Sequence, residues 1–128
     1  IKDGVVVKQE GKYQTQTYNV DRKGNLVGTA LVVLVNKGSA SAAEIVAGAL
    51  RDRLKTKLVG EATFGKGTVQ DAQDLRDGAG IHITTGRWLF PSGEWIAEDG
   101  IKPDVEVKID KEASEASDIQ LVRAVEAL

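Results

Sequence analysis

The first twenty residues contain two runs of strand-forming residues, the first mostly apolar and the second mostly polar. Val5 to Lys8 is mostly apolar and β-branched, the letters EGK follow, and Tyr13 to Val20 places apolar or β-branched residues among polar neighbours. Two β-branched runs joined by a short glycine-containing turn are typical of a β-hairpin. We therefore expect two antiparallel strands at the start of the chain.

The next apolar run does not alternate. Ala30 to Asn36 is almost continuously apolar, which predicts a strand covered on both faces. From Ala42 to Leu54 apolar residues recur at helical spacing, and Lys57 to Gly60 predicts another short strand. A strand, a helix and a second strand form a βαβ unit, in which the two strands are parallel.

The second half of the chain predicts further strands and a closing helix. We expect strands over Thr68 to Leu75, Ile81 to Phe90 and Val105 to Ile109, the first two antiparallel. An amphipathic helix capped by Ser117 or Asp118 closes the chain. The pattern predicts a single α/β domain over residues 1–128, with a βαβ unit, a mixed sheet and β-hairpins.

Composition narrows the possible chemistry. The chain has 41% hydrophobic and 28% charged residues, a net charge of −2 and no cysteine. We therefore expect no nucleic-acid partner, no membrane span, no disulfide and no cysteine metal site. His82 is the only histidine, which excludes a two-histidine zinc site within the chain. Because the chain starts at Ile1 and lacks methionine, we expect it to be a piece of a longer protein.

Ser41 lies where the apolar strand passes into the helix, and two interpretations compete for it. With Glu44 it forms the S-x-x-E pattern of a capping box. Alternatively it is a nucleophile, since free N–H groups and the helix dipole at a helix start stabilise an oxyanion. The segment alone favours the cap.

Lys66 lies between Gly65 and Gly67, and three interpretations are open for it. Gly60 to Lys66 fits most of a P-loop, but Gly67 stands where a magnesium-binding Ser or Thr belongs, and an extended segment follows. A buried, neutral lysine can act as a general base, because burial disfavours the charged amine. The third interpretation is an exposed lysine in a glycine turn, which the segment alone favours.

Four blocks taken together resemble one enzyme family. They are VLVNKGSASAAEIVAGALRD, VGEATFGKGTVQ, ITTGRWLFPSG and DGIKPDVEV, in this order between Leu31 and Val107. The first two place a serine and a lysine 25 positions apart. In order and spacing the chain is similar to the carboxy-terminal processing, or tail-specific, serine peptidases. That resemblance implies a core like those of the Clp and crotonase relatives, here incomplete.

The resemblance also implies roles for individual residues. Ser41 and Lys66 would form a Ser-Lys dyad, and Gln70 would orient the lysine. The backbone N–H of Ala42 would donate to the oxyanion, with structural support from two acidic residues, Glu44 and Asp52. The family needs no metal and no cofactor.

The resemblance has consequences for partners and location. It implies protein substrates recognised by apolar C-terminal tails, and a place in the cell envelope, on the periplasmic or extracellular side. A Gly-Gly segment and a PDZ-like domain of the family are missing from these residues, so the chain alone could be inactive. The alternatives are a non-catalytic piece that binds peptides or self-associates through open sheet edges, and a nucleotide-binding protein.

Overall fold

The computed structural model describes residues 1–22, 24–109 and 118–128. It contains seven strands, two helices and one short 3₁₀ turn at Arg76–Gly78 within these residues. In chain order the elements are β1 (Val5–Gly11), β2 (Thr15–Asn19), β3 (Val32–Val35), α1 (Ala42–Leu54), β4 (Lys57–Gly60), β5 (Thr68–Asp74), β6 (Gly80–Leu89), β7 (Val105–Glu106) and α2 (Ile119–Ala127).

The predicted hairpins assemble into one antiparallel sheet with the strand order β2-β1-β6-β5. Strand β1 pairs with all of β2 but only with the last residues of β6, from Gly86 to Leu89. The first part of β6 pairs with β5 alone, for example Ile83 with Asp71. Residues 70–85 therefore form a two-stranded ribbon, most of which extends past the rest of the sheet.

The predicted βαβ unit is confirmed. Strands β3 and β4 pair in parallel, with Val33 opposite Leu58, and β7 joins β4 in the same direction. The α/β class is likewise confirmed, with the parallel and antiparallel pairings divided between two sheets.

The extent and burial predicted for the first parallel strand are wrong. Strand β3 is shorter than the predicted Ala30 to Asn36, and Leu34 within it is 43% exposed. The physical reason is the strand order, because β3 lies at the edge of its sheet whereas β4 is central. Leu58 and Val59 of β4 are fully buried.

The hydrophobic core lies between the parallel sheet, α1 and the segment after β6. It contains Val35, Ala47, Leu58, Phe90, Ile96 and Ile101. Helix α1 approaches this segment closely at Gly48, where even a methyl group would overlap the ring of Phe90. The side of α1 that bears Gly48 is thereby fixed against the core.

Helix α2 packs against β3 and β4. Of the two predicted caps, Asp118 is the one observed, since its carboxylate accepts a hydrogen bond from the Leu121 N–H at 3.0 Å. Ser117 lies outside the described residues. Ala124 faces inward and is buried, while Leu121 and Val125 remain more than half exposed. In the described part of the chain neither helix combines the length and apolar character needed to cross a bilayer.

Candidate active site

Ser41 has an unusual backbone conformation. Its φ of 55° and ψ of −114° place it in a region that residues with a Cβ seldom adopt, directly before the first turn of α1. Serine nucleophiles at strand-to-helix turns in hydrolases are held in a similarly strained backbone, which exposes the hydroxyl. The Oγ of Ser41 faces the Glu44 N–H as in a capping box, but it makes no hydrogen bond of normal geometry there. Ser41 is thus the N-cap residue of α1, and its hydroxyl lies directly at the first turn of the helix.

The carboxylate of Glu44 links the serine loop to the lysine loop. Glu44 is 0% exposed, and its Oε2 accepts hydrogen bonds from the N–H groups of Ser41 and Lys66, both at 2.9 Å. Its Oε1 accepts from the Gly65 N–H at 2.8 Å and from the hydroxyl of Thr63. Because one oxygen bonds both backbone nitrogens, those of Ser41 and Lys66 lie within twice 2.9 Å of each other. One buried acceptor therefore fixes both candidate residues by their main chains.

The N–H of Ala42 is available to a ligand. The flanking N–H groups are occupied, that of Ser41 by Glu44 and that of Ala43 by the Ala40 carbonyl at 3.1 Å. Within residues 1–22, 24–109 and 118–128, no acceptor bonds the Ala42 N–H, and Ala42 is exposed. A free donor next to the serine at a helix start is suited to stabilise an oxyanion.

The glycines around Lys66 permit a close approach between two backbones. A Cβ on Gly65 would overlap the main chain of Ala97 and Glu98, and one on Gly67 would overlap the carbonyl of Ile96. Strand β5 begins directly afterwards at Thr68, whereas a P-loop opens a helix. The glycines that suggested a phosphate loop thus serve packing in this chain.

The side chain of Lys66 is exposed and does not contact Ser41 through a hydrogen bond. In the part of the chain that the structure describes, its Nζ makes neither a hydrogen bond nor an ion pair. Of the three interpretations, the exposed lysine in a glycine turn describes the side chain in these residues, because Glu44 bonds only backbone N–H groups of Gly65 and Lys66. The structure brings the main chains of Ser41 and Lys66 together but shows no hydrogen bond between the Oγ of Ser41 and the Nζ of Lys66.

We call Glu44 and the residues that it bonds the junction; they are Ser41, Thr63, Gly65 and Lys66. The remaining predicted residues lie at different distances from it. Gln70 follows a β-bulge after Val69 and is exposed on the outer strand β5. Asp52 lies near the end of α1, and its Oδ2 accepts from the Ser92 N–H at 2.9 Å. Asp52 thus ties the helix to the turn after β6, and neither residue hydrogen-bonds to Ser41 or Lys66.

Thr63 belongs to the junction and was not predicted from the sequence. Its hydroxyl bonds Glu44 and also accepts from the Ile101 N–H at 2.7 Å. The available signal in the sequence was a threonine in a glycine-rich loop, but its partners lie 19 and 38 residues away. Sequence spacing alone does not identify such partners. Among the described residues no group of three or more acidic or histidine side chains could bind a metal.

Comparison with known proteins identifies the family to which this chain belongs. Residues 1–107 match the sequence profile of Peptidase family S41. The carboxy-terminal processing protease CtpA of Bacillus subtilis is 53% identical over 78 residues, which are 61% of this chain and 17% of that protein. The chloroplastic C-terminal processing peptidase of Tetradesmus obliquus is 46% identical over 90 residues, 70% of this chain and 19% of that protein.

A solved structure agrees with these relatives. The photosystem II D1 C-terminal processing protease superimposes with a TM-score of 0.75 at 39% identity, over 84% of this chain and 28% of that one. The resemblance indicated by the sequence is thereby confirmed at the level of the family. The chain spans less than a fifth of the length of either curated relative.

Proposed function

Because the chain belongs to peptidase family S41, we propose that it is part of the catalytic core of a serine endopeptidase that processes proteins near their C-termini. The observation that carries the proposal is the Glu44 carboxylate, which bonds the N–H groups of Ser41 and Lys66 with a single buried oxygen. Two residues 25 positions apart in sequence are thus held at one place, where a free N–H adjoins the serine. A helix cap alone does not need the second loop.

The proposed mechanism uses Ser41 as nucleophile and Lys66 as general base. The neutral amine of Lys66 takes the hydroxyl proton as Oγ attacks the scissile carbonyl carbon. The Ala42 N–H donates to the oxyanion, and the ammonium of Lys66 returns its proton to the departing amine. Water, deprotonated by the same amine, then attacks the acyl-enzyme and releases Ser41. This is the logic of the Ser-His-Asp triad with lysine in the place of histidine.

The proposal requires the side chain of Lys66 to be less exposed to water in the full-length enzyme than it is in this chain. An amine in water is almost entirely protonated at neutral pH, and removal from water is what favours its neutral form. We infer that other parts of the full-length enzyme cover Lys66 and bring Gln70 against it. A second oxyanion donor would come from the same parts.

Substrate and location follow from the same proposal. We infer that the full-length enzyme acts on proteins with apolar C-terminal tails, in an extracytoplasmic or lumenal compartment. The names of two relatives support the C-terminal processing in this inference, and one of these relatives is chloroplastic.

A non-catalytic role in self-association is the second candidate. Strands β3 and β5 are sheet edges, and Leu121, Val125 and Leu128 form an exposed apolar stripe on α2. Unpaired edges and apolar stripes are common sites of association between chains. Sedimentation of the isolated chain tests this candidate, which predicts a dimer or larger species at micromolar concentration. A monomer would exclude it.

The experiment that tests the peptidase proposal compares variants of the full-length enzyme on a substrate with an apolar C-terminal tail. Ser41→Ala and Lys66→Ala are expected to abolish cleavage while the protein stays folded. Lys66→Arg is the sharper variant, since it keeps the positive charge but cannot supply a neutral base. Lys37→Ala, in the exposed turn before Ser41, is the matched control and should cleave normally. Undiminished cleavage by Lys66→Arg would overturn the dyad.

A further inference from the structure

The carbonyl of Gly67 accepts two hydrogen bonds directly after the candidate base. One comes from the backbone N–H of Trp88 at 2.7 Å, and the other from the indole Nε1–H of Trp95 at 3.4 Å. Gly67 is buried and follows Lys66 in the chain. A side chain far away in sequence thus contacts the peptide group next to the lysine.

The ring of Trp95 lies against Arg87, which forms an ion pair with Glu10. The guanidinium of Arg87 lies over the Trp95 ring, 5.7 Å from its centroid. The Nε of Arg87 donates to Oε2 of Glu10 on the neighbouring strand β1. A planar guanidinium can stack on an aromatic ring and bond a carboxylate at the same time. The order of contacts is therefore Glu10, Arg87, Trp95 and the carbonyl of Gly67.

These contacts complete the fixation of the Lys66 backbone. On one side Glu44 bonds the N–H groups of Gly65 and Lys66. On the other side the two tryptophans fix the carbonyl of Gly67. With peptide groups held both before and after it, Lys66 has a defined Cα–Cβ direction, and only its side-chain torsions stay free.

We propose that Trp95 is a positioning residue for Lys66, held in place by Arg87 and Glu10. This inference rests on the proposed function, since it assigns Trp95 an effect on the proton transfer through the loop that carries the base. Trp95 acts on the direction of the amine and touches neither Ser41 nor Lys66 through a hydrogen bond. A catalytic group misplaced by about 1 Å loses much of its rate advantage, so small shifts of the loop reduce turnover.

The first test replaces the indole N–H without removing the ring. Trp95→Phe in the full-length enzyme keeps an aromatic face for Arg87 but loses the donor to Gly67. We expect kcat to fall about three- to ten-fold with KM unchanged, the range that one weak hydrogen bond explains. Trp88→Phe is the matched control, because Trp88 bonds Gly67 through its main chain, and its kcat should change less than two-fold.

The second test asks whether the ion pair acts through the ring. Glu10→Gln should lower kcat about two-fold in the wild type and leave it unchanged in the Trp95→Phe variant, because interacting residues give non-additive effects. If the fold decreases in kcat caused by Glu10→Gln and Trp95→Phe multiply in the double variant, the proposed order of contacts is overturned.

A measurement without substrate separates this inference from the proposed function. Amide hydrogen exchange of residues 65–68 should be faster in Trp95→Phe than in the wild type and unchanged in Trp88→Phe. Faster exchange without any cleavage by the wild type would contradict the peptidase proposal and leave the positioning of the loop intact. Equal exchange in all three proteins would overturn the inference, whatever the activity.

Discussion

The junction around Glu44 and the ribbon of residues 70–85 are neighbours with opposite character. In the junction, a fully buried carboxylate accepts four hydrogen bonds from two loops. In the ribbon, Ile81 and Ile83 are 42% and 43% exposed, and a single partner strand holds each strand over most of its length. Lys66 joins the two regions, since its backbone belongs to the junction and the ribbon strand β5 starts two residues later.

The difference shows which part of the site this chain builds by itself. Backbone positions of the serine and the lysine are fixed by contacts among the described residues. The surroundings of the candidate catalytic side chains are not fixed in this way, because Lys66 and Gln70 are both exposed. An isolated two-stranded ribbon is marginally stable in water. We therefore expect the ribbon to gain its neighbours, and the amine its cover, from other parts of the full-length enzyme.

The largest expected effect comes from the centre of the junction. Glu44→Gln keeps the shape of the side chain but puts an NH₂ group against N–H donors, leaving buried donors unsatisfied. We expect the free energy of unfolding to fall by about 3 kcal/mol, measured by urea titration of the full-length protein. Glu94→Gln, at an exposed glutamate, is the control and should change it by less than about 0.5 kcal/mol. Similar losses of unfolding free energy in Glu44→Gln and Glu94→Gln would show that Glu44 stabilises the fold no more than an exposed glutamate does.

Gly67→Ala tests the close approach of the two backbones. The added methyl group meets the carbonyl of Ile96, so the lysine loop has to shift. We expect a loss of about 1–3 kcal/mol of unfolding free energy, as for other overpacked sites, and a loss of cleavage. At Gly24 a Cβ would meet nothing closer than 4.0 Å, which makes Gly24→Ala the matched control. A stable, active Gly67→Ala enzyme contradicts the packing described here.

A smaller effect is expected at Asp52, on the far end of α1. Asp52→Ala removes one exposed hydrogen bond from the Ser92 N–H. We expect about 0.5–1.5 kcal/mol of lost unfolding free energy and nearly normal cleavage. Asp99→Ala, at an exposed aspartate in a loop, serves as control. If Asp52→Ala abolished cleavage in a fully folded enzyme, Asp52 would have a role in the chemistry that its contacts do not indicate.

The smallest effect is expected in the ribbon. Ile83→Thr replaces one exposed β-branched side chain by another, so the isolated chain should unfold with nearly the same free energy, within about 0.5 kcal/mol. Thr84→Ser, on the opposite face of the ribbon, controls for local strand propensity. In the full-length enzyme a larger loss for Ile83→Thr than for Thr84→Ser would show that a neighbour covers this face. Equal, small losses in both proteins would argue that the ribbon stays exposed.

Much of the fold could be predicted because local patterns agree with the tertiary structure. The limits of α1, Ala42 and Leu54, match the predicted helix, since apolar periodicity and the capping pattern indicate the same start. The βαβ unit followed from the order of the predicted elements, because a strand, a helix and a second strand in succession place the two strands in parallel. Strand β3 was predicted too long and too buried, because its place at a sheet edge depends on the order of strands and not on its own residues.

In the candidate site, too, the features that could be predicted are those with a local signal in the sequence. Ser41 and Lys66 could be proposed from motif and resemblance, and Glu44 from its spacing to Ser41. The second role of Glu44, bonding the lysine loop 21 and 22 residues away, could not, since a capping box predicts only the local bond. Thr63 and Trp95 were missed for the same reason, because their partners are brought near by the fold.

The measurement that tests the central claim most directly is covalent trapping of the nucleophile. The full-length enzyme and its Lys66→Ala variant are treated with a fluorophosphonate, which labels activated serines, and the modified peptide is identified by mass spectrometry. The account predicts rapid labelling of Ser41 in the wild type and little or none in Lys66→Ala. Labelling of Ser41 at the same rate without the lysine, or labelling of a different serine in a cleaving enzyme, would contradict it.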